Sequence, residues 1–137
     1  MMQLLWHIFR WFCGGVFFCA ILLLLVGDCH WTDLIVCSAL CIPLDIINEL
    51  MPWTIPLLLQ AIIGGHILAV SQPVLGLILN VWLSLGLWDC SGFSCNLWGQ
   101  ISPTAILLHL LLAGPLLILF DMIGFRAGGP WPHYKFF

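Results

Sequence analysis

Charge is what this sequence has least of. Only three residues are Lys or Arg: Arg10, Arg126 and Lys135. A surface that tracks nucleic-acid phosphates needs many such contacts, so nucleic acid is excluded as a partner. A Walker A loop is excluded as well, because G-x-x-x-x-G-K-[ST] needs an internal lysine and the sole lysine, Lys135, is almost the last residue. Glutamate occurs once, as Glu49, and neither H-E-x-x-H nor G-x-S-x-G is present. No enzymatic apparatus and no cofactor motif is visible. Asp45 and Asp121 lie in apolar stretches, but Leu44-Asp45-Ile46 and Phe120-Asp121-Met122 lack the Tyr-Asp and Gly-x-Gly-Asp settings of intramembrane aspartyl proteases.

Apolar residues are what the sequence has in abundance. They make up 63% of its 137 residues against 7% charged, where a soluble domain carries about 25% charge. A chain this short cannot bury so much apolar surface in one aqueous core. A lipid bilayer is the solvent that accommodates it.

A bilayer core of about 30 Å takes about 20 helical residues. Four stretches qualify, over about 8–26, 34–47, 54–83 and 103–123. The expected fold is therefore all-α: one transmembrane domain over 1–137, an integral membrane bundle of four helices. The third stretch is too long to cross straight, and Pro73 is where a kink is expected. No A-x-A site follows the first stretch, and Asp28 separates Leu25-Val26-Gly27 from Cys29, so it reads as a retained helix and not a cleaved signal. The three cations flank the first and last spans, which places both termini in the cytoplasm by the positive-inside tendency. Trp88–Gln100 then lies outside the cell membrane and Asn48-Glu49 inside. Trp11, Trp31, Trp53, Trp82, Trp88, Trp98 and Trp131 fall near span ends, as interfacial aromatics do.

Polar groups within spans must find partners, so they are the pointers to function. Gly65, Ala69, Gln72, Gly76 and Asn80 fall within an arc of about 80° on the third helix. Such a stripe admits another helix at close range, within one copy or between copies, or lines a path. Ser38, Cys41, Asp45 and Asn48 share a face of the second helix, as do Ser102, Ala105, His109 and Ala113 on the fourth. Gln72 and His109 lie at similar depth, and Asp45 and Asp121 both lie toward the cytoplasmic ends. His66 sits off the stripe. There are seven cysteines. Cys90 and Cys95 share the outer loop, where an oxidising exterior permits a disulfide. With His30 and Cys29 they are thin material for a zinc site.

The least ordinary stretch is Trp88-Asp89-Cys90-Ser91-Gly92-Phe93-Ser94-Cys95-Asn96-Leu97-Trp98-Gly99-Gln100-Ile101. Its plain reading is a re-entry loop whose Asp89 and Asn96 tie up free backbone groups. It also resembles the signature W-D-Y-S-x-x-P-x-N-x-x-G-Q-I of the small bacterial membrane proteins of the ABC-transporter type IV, or CmpB-like permease, family. Trp88, Asp89, Ser91, Asn96, Gly99 and Gln100 carry that likeness. Gly14-Gly15, Gly27-x-x-His30-Trp31, Asn48-Glu49, Gln60–Gly64, Gly76–Asn80 and Pro132-His133-Tyr134-Lys135 extend it along the chain.

The resemblance implies a permease-like membrane subunit working with a separate cytoplasmic ATPase, as a homo-oligomer joined along the Gly65–Asn80 stripe. The sequence departs from the pattern at Leu22 and Gln72, where the family tends to have glutamate, and at Val26, where it has arginine. Cys90 and Ser94 replace a tyrosine and a proline, and Phe120-Asp121 stands for an acidic pair. The lost carboxylates favour a second reading, a structural or regulatory protein that binds another integral membrane protein and transports nothing.

Overall fold

The computed structural model describes residues 1–27 and 30–136; Asp28 and Cys29, discussed above, lie outside them. Four helices follow in order: α1 (Met2–Val26), α2 (Trp31–Leu50), α3 (Leu57–Gly76) with a π-helical extension (Leu77–Trp82), and α4 (Pro103–Arg126). Among the described residues there is no β-strand, only an isolated bridge between Leu97 and Ile101. Three of the helices, Met2–Leu25, Leu57–Trp82 and Pro103–Arg126, are long and apolar enough to cross a membrane. Of the four spans expected from sequence, three meet that measure among the described residues. The fourth, α2, is 20 residues long but carries Asp33, Asp45 and Glu49.

Local chemistry sets the ends. Gly27 closes α1 in the left-handed conformation, at φ 81°, and its N–H reaches Leu23 O at 2.9 Å. Asp33 opens α2 by accepting from the His30 N–H at 2.7 Å. Ser102 caps α4 by accepting from the Ala105 N–H, with Pro103 as the first helical residue. Helix α3 runs through Pro73 without ending. Its irregularity falls later, where the chain widens into π turns over Leu77–Trp82.

The helices pack mainly as two pairs, α1 with α2 and α3 with α4. Cys41, Leu44, Leu68, Ala113, Leu116, Leu117 and Phe120 form a fully buried middle. Leu24, Val70, Leu107 and Leu111 point outward, as lipid-facing side chains do. Small residues let the helices close up. A Cβ on Gly65 would stand 2.7 Å from the Leu110 Cα, and one on Gly76 would meet Gln100 Oε1. At Gly65 and Gly76 the stripe is thus filled within one copy, by α4 and by the segment that precedes it.

Gly65→Ile must push α3 away from α4, so we expect a loss of about 1–3 kcal/mol in reversible detergent unfolding. A variant of unchanged stability that merely dissociates an oligomer would contradict this placement.

Candidate functional site

The charged residues gather at the end of the bundle where α1 begins, α2 ends and α4 ends. His7, Arg10 and Trp11 stand at i, i+3 and i+4 on α1, so they share a face. Asp45, Asn48 and Glu49 do the same on the last turns of α2. The two faces meet. Arg10 reaches both acids at once, with Nη1 2.9 Å from Asp45 Oδ1 and Nη2 donating to Glu49 Oε1 at 2.7 Å. The first contact is an ion pair without hydrogen-bond alignment, since Asp45 Oδ1 has no hydrogen-bond partner. The other Asp45 oxygen lies 2.8 Å from His7 Nδ1 and accepts from Trp11 Nε1 at 2.9 Å. Asp45 is 1% exposed and Arg10 8%, so this pair is shielded from solvent, whereas the Glu49 side chain is 48% exposed.

A third acid joins from α4. Asn48 Nδ2 donates to Asp121 Oδ1 at 2.7 Å, and the Tyr134 hydroxyl donates to Asp121 Oδ2 at 2.6 Å. Burial and the neighbouring carboxylate push the Tyr134 phenol well above its ordinary range. The tail that brings Tyr134 here is tied down by the Leu57 N–H, which donates to Lys135 O. Asp45 and Asp121 thus come into one cluster, linked through Asn48 one turn from Asp45.

A cavity of about 440 Å³ opens over this cluster, with Gln3, Trp6, Glu49, Trp53, Asp121 and Phe125 in its wall. Two carboxylates, Glu49 and Asp121, line it with the Arg10 guanidinium, and Asp45 lies buried behind them. Ligand atoms of His7, Asp45 and Glu49 lie within 4.8 Å of one another, a spacing a cation could bridge. Arg10 already sits against both carboxylates and supplies that positive charge, so the set is better described as an ion-pair lock than as a metal centre.

The opposite end holds the signature-like segment, folded as one unit around Gln100. Its carbonyl accepts from Gln72 Nε2 and from Trp88 Nε1, each at 2.9 Å. Asn80, carried on the π-helical extension, donates to Gln100 Oε1 at 3.0 Å and to Trp88 O at 3.1 Å, and accepts from the Leu87 N–H at 2.7 Å. Asp89 accepts from the Ser91 N–H and hydroxyl, which holds its carboxyl below the ordinary range. Asn96 donates to Ser91 O and Phe93 O and accepts from the Gly99 N–H, with Gly99 at φ 70° turning the chain toward α4. Every residue of the signature named above except Gly99 uses its side chain in a structural bond. Cys90 and Cys95 are free thiols.

Gln72 and His109 line one cavity, with no hydrogen bond between them among the described residues. Trp31, Trp82, Trp98 and Trp131 are exposed, but Trp11 and Trp88 turn inward as donors.

His7 and Tyr134 were missed as site residues in the sequence, Arg10 and Glu49 were read for topology, and Asn48 was placed on the Asp45 face without a partner. The signal was available: a His/Arg/Trp face and an Asp/Asn/Glu face at matching helical spacing near two chain-adjacent helix ends. Comparison with protein-family models, with curated proteins and with solved structures finds no match to this chain.

Proposed function

We propose that this chain is a four-span protein of the cell membrane, with both termini cytoplasmic, that works by binding another integral membrane protein. In this reading α2 is the fourth span. Its acids stand in its end turns, and Arg10 offsets the deepest of them, which lowers the cost of placing α2 in lipid. Arg10, Arg126 and Lys135 all lie at the end that would face the cytoplasm, and a bend near Pro73 lets the long third span cross.

The observation that carries this reading is the apolar middle. Leu44, Leu68, Leu116, Leu117 and Phe120 have no exposed surface and separate the charged end from the outer loop. A single copy therefore offers no polar conduit between the two. What it does offer is the open acidic cavity, suited to a partner that presents a lysine or arginine.

The permease-like reading has one observation in its favour. That cavity lies at the end a cytoplasmic ATPase would approach. A transport path would then need further copies or a second membrane subunit.

The test is a photocrosslinker at Gln3, on the cavity wall, used in native membranes. One integral membrane protein should be captured by the parent and lost in Glu49→Gln, while Cys95 reacts with an impermeant maleimide from outside. Capture of an ATPase, with substrate flux, would instead establish the permease role. Labelling of Cys95 only after permeabilisation would overturn the topology.

A further inference from the structure

A second cavity, of about 190 Å³, lies between α1, α2 and α4 beneath the outer loop. Its walls are carbon: Phe18, Leu22, Val36, Leu40 and Leu108. Asp33, Gln72, Trp88 and Cys90 also reach the wall, but the buried polar atom without a partner belongs to a histidine. His109 lines the cavity at 2% exposure, its ring 5.7 Å from the Phe18 ring, and its Nδ1 has no hydrogen-bond partner among the described residues. Three other polar side chains on the wall each have a group engaged elsewhere. Gln72 Nε2 and Trp88 Nε1 both donate to Gln100 O, and Asp33 accepts from the His30 N–H.

Buried polar groups in folded proteins nearly always have a partner. Leaving this imidazole nitrogen bare in a carbon-lined space is costly. An ordered water needs two to four polar partners, and beside His109 this wall offers few, Gln72 Oε1 and the Cys90 thiol among them. The occupant that suits these walls brings its own apolar surface. Size narrows it further. An apolar cavity of about 150 Å³ holds benzene, so this one takes a ring with a small substituent, well under the roughly 300–1,000 Å³ of drug-sized pockets. A neutral imidazole has one donor and one acceptor nitrogen, which matches a hydroxyl or a carbonyl. The carbon walls disfavour a charged ligand, and Asp33 at the rim repels an anion.

We propose that this cavity binds a small, uncharged ring compound carrying one hydroxyl or carbonyl group, oriented by a hydrogen bond to His109. Phenols free in the membrane and the ring of a prenylated phenol lipid share this chemistry. The site is separate from the charged cavity and does not depend on the role assigned to it.

The test uses the full chain in lipid nanodiscs with ¹⁵N-labelled histidine, titrated with p-cresol and with toluene. p-Cresol should shift one imidazole saturably, and that signal should be absent in His109→Phe. It should bind about tenfold tighter than toluene, the value of one added hydrogen bond. In His109→Phe, toluene binding reports that the cavity is intact, and the preference for p-cresol should vanish. Nanodiscs doped with a prenylated phenol separate the sources: displacement of p-cresol marks a lipid-borne ligand, and its absence a free one, either of which upholds the site. A histidine spectrum indifferent to p-cresol, or equal binding of p-cresol and toluene by the parent chain, would overturn the proposal. The parent titration decides the matter even if the variant fails to fold.

Discussion

Arg10→Ala is expected to destabilise the bundle by about 3–5 kcal/mol, the cost of removing one partner from a buried ion pair. The reason is what stays behind. Asp45 would be left at 1% exposure without its cation, with only the His7 and Trp11 contacts to offset the loss, and Glu49 would lose its guanidinium as well. Arg10→Lys should recover only part of the loss, because an ammonium is a point charge and cannot place separate nitrogens against both carboxylates. Arg10→Met combined with Asp45→Leu should cost less than the sum of the two single changes, since no orphaned charge remains at that pair. Reversible unfolding in mixed micelles measures all five variants. A loss below about 1 kcal/mol in Arg10→Ala is the behaviour of a solvated surface pair and would remove the lock from the account of how α1 is held to α2.

The same cluster shows where sequence reading stops. Apolar runs locate helices well, and all four were found near their observed places. Their ends were not. The first was expected from about residue 8, because His7 and Gln3 interrupt the hydropathy. They do not interrupt the helix, which begins at Met2. Asn48 and Glu49 fall just beyond the expected end of the second span at about 47, yet they form the last turn of α2, where Asp121 and Arg10 satisfy them. Both errors have one cause: a polar residue's cost depends on a partner that is distant in sequence. Asp45 was recognised as a group needing such a partner, but nothing local specified Arg10. The stripe from Gly65 to Asn80 was legible by angle alone. That Leu110 and Gln100 lie across from it is tertiary information. Nor does composition distinguish α from π geometry over Leu77–Trp82, although Asn80 depends on that geometry for its reach.

Asn80→Leu tests that last dependence. The side chain makes three bonds to the outer segment: two donated, to Trp88 O and Gln100 Oε1, and one accepted from the Leu87 N–H. Leucine has similar bulk and none of these. At about 1 kcal/mol net for each bond, the local loss is about 3 kcal/mol, or about a hundredfold in the population of the opened segment. The Gln72 and Trp88 side-chain bonds to Gln100 O survive the change, so the helices should stay packed. The expected result is therefore a local one. Amide exchange over Leu87–Gln100 should accelerate about a hundredfold, with proteolysis there rising in step, while α1 and α2 keep their protection. If exchange instead rose evenly along the whole chain, the outer segment would be part of one cooperative unit with the bundle. If it did not rise at all, Gln100 and its main-chain bonds alone would hold the segment, and the π turns would have no part in placing it.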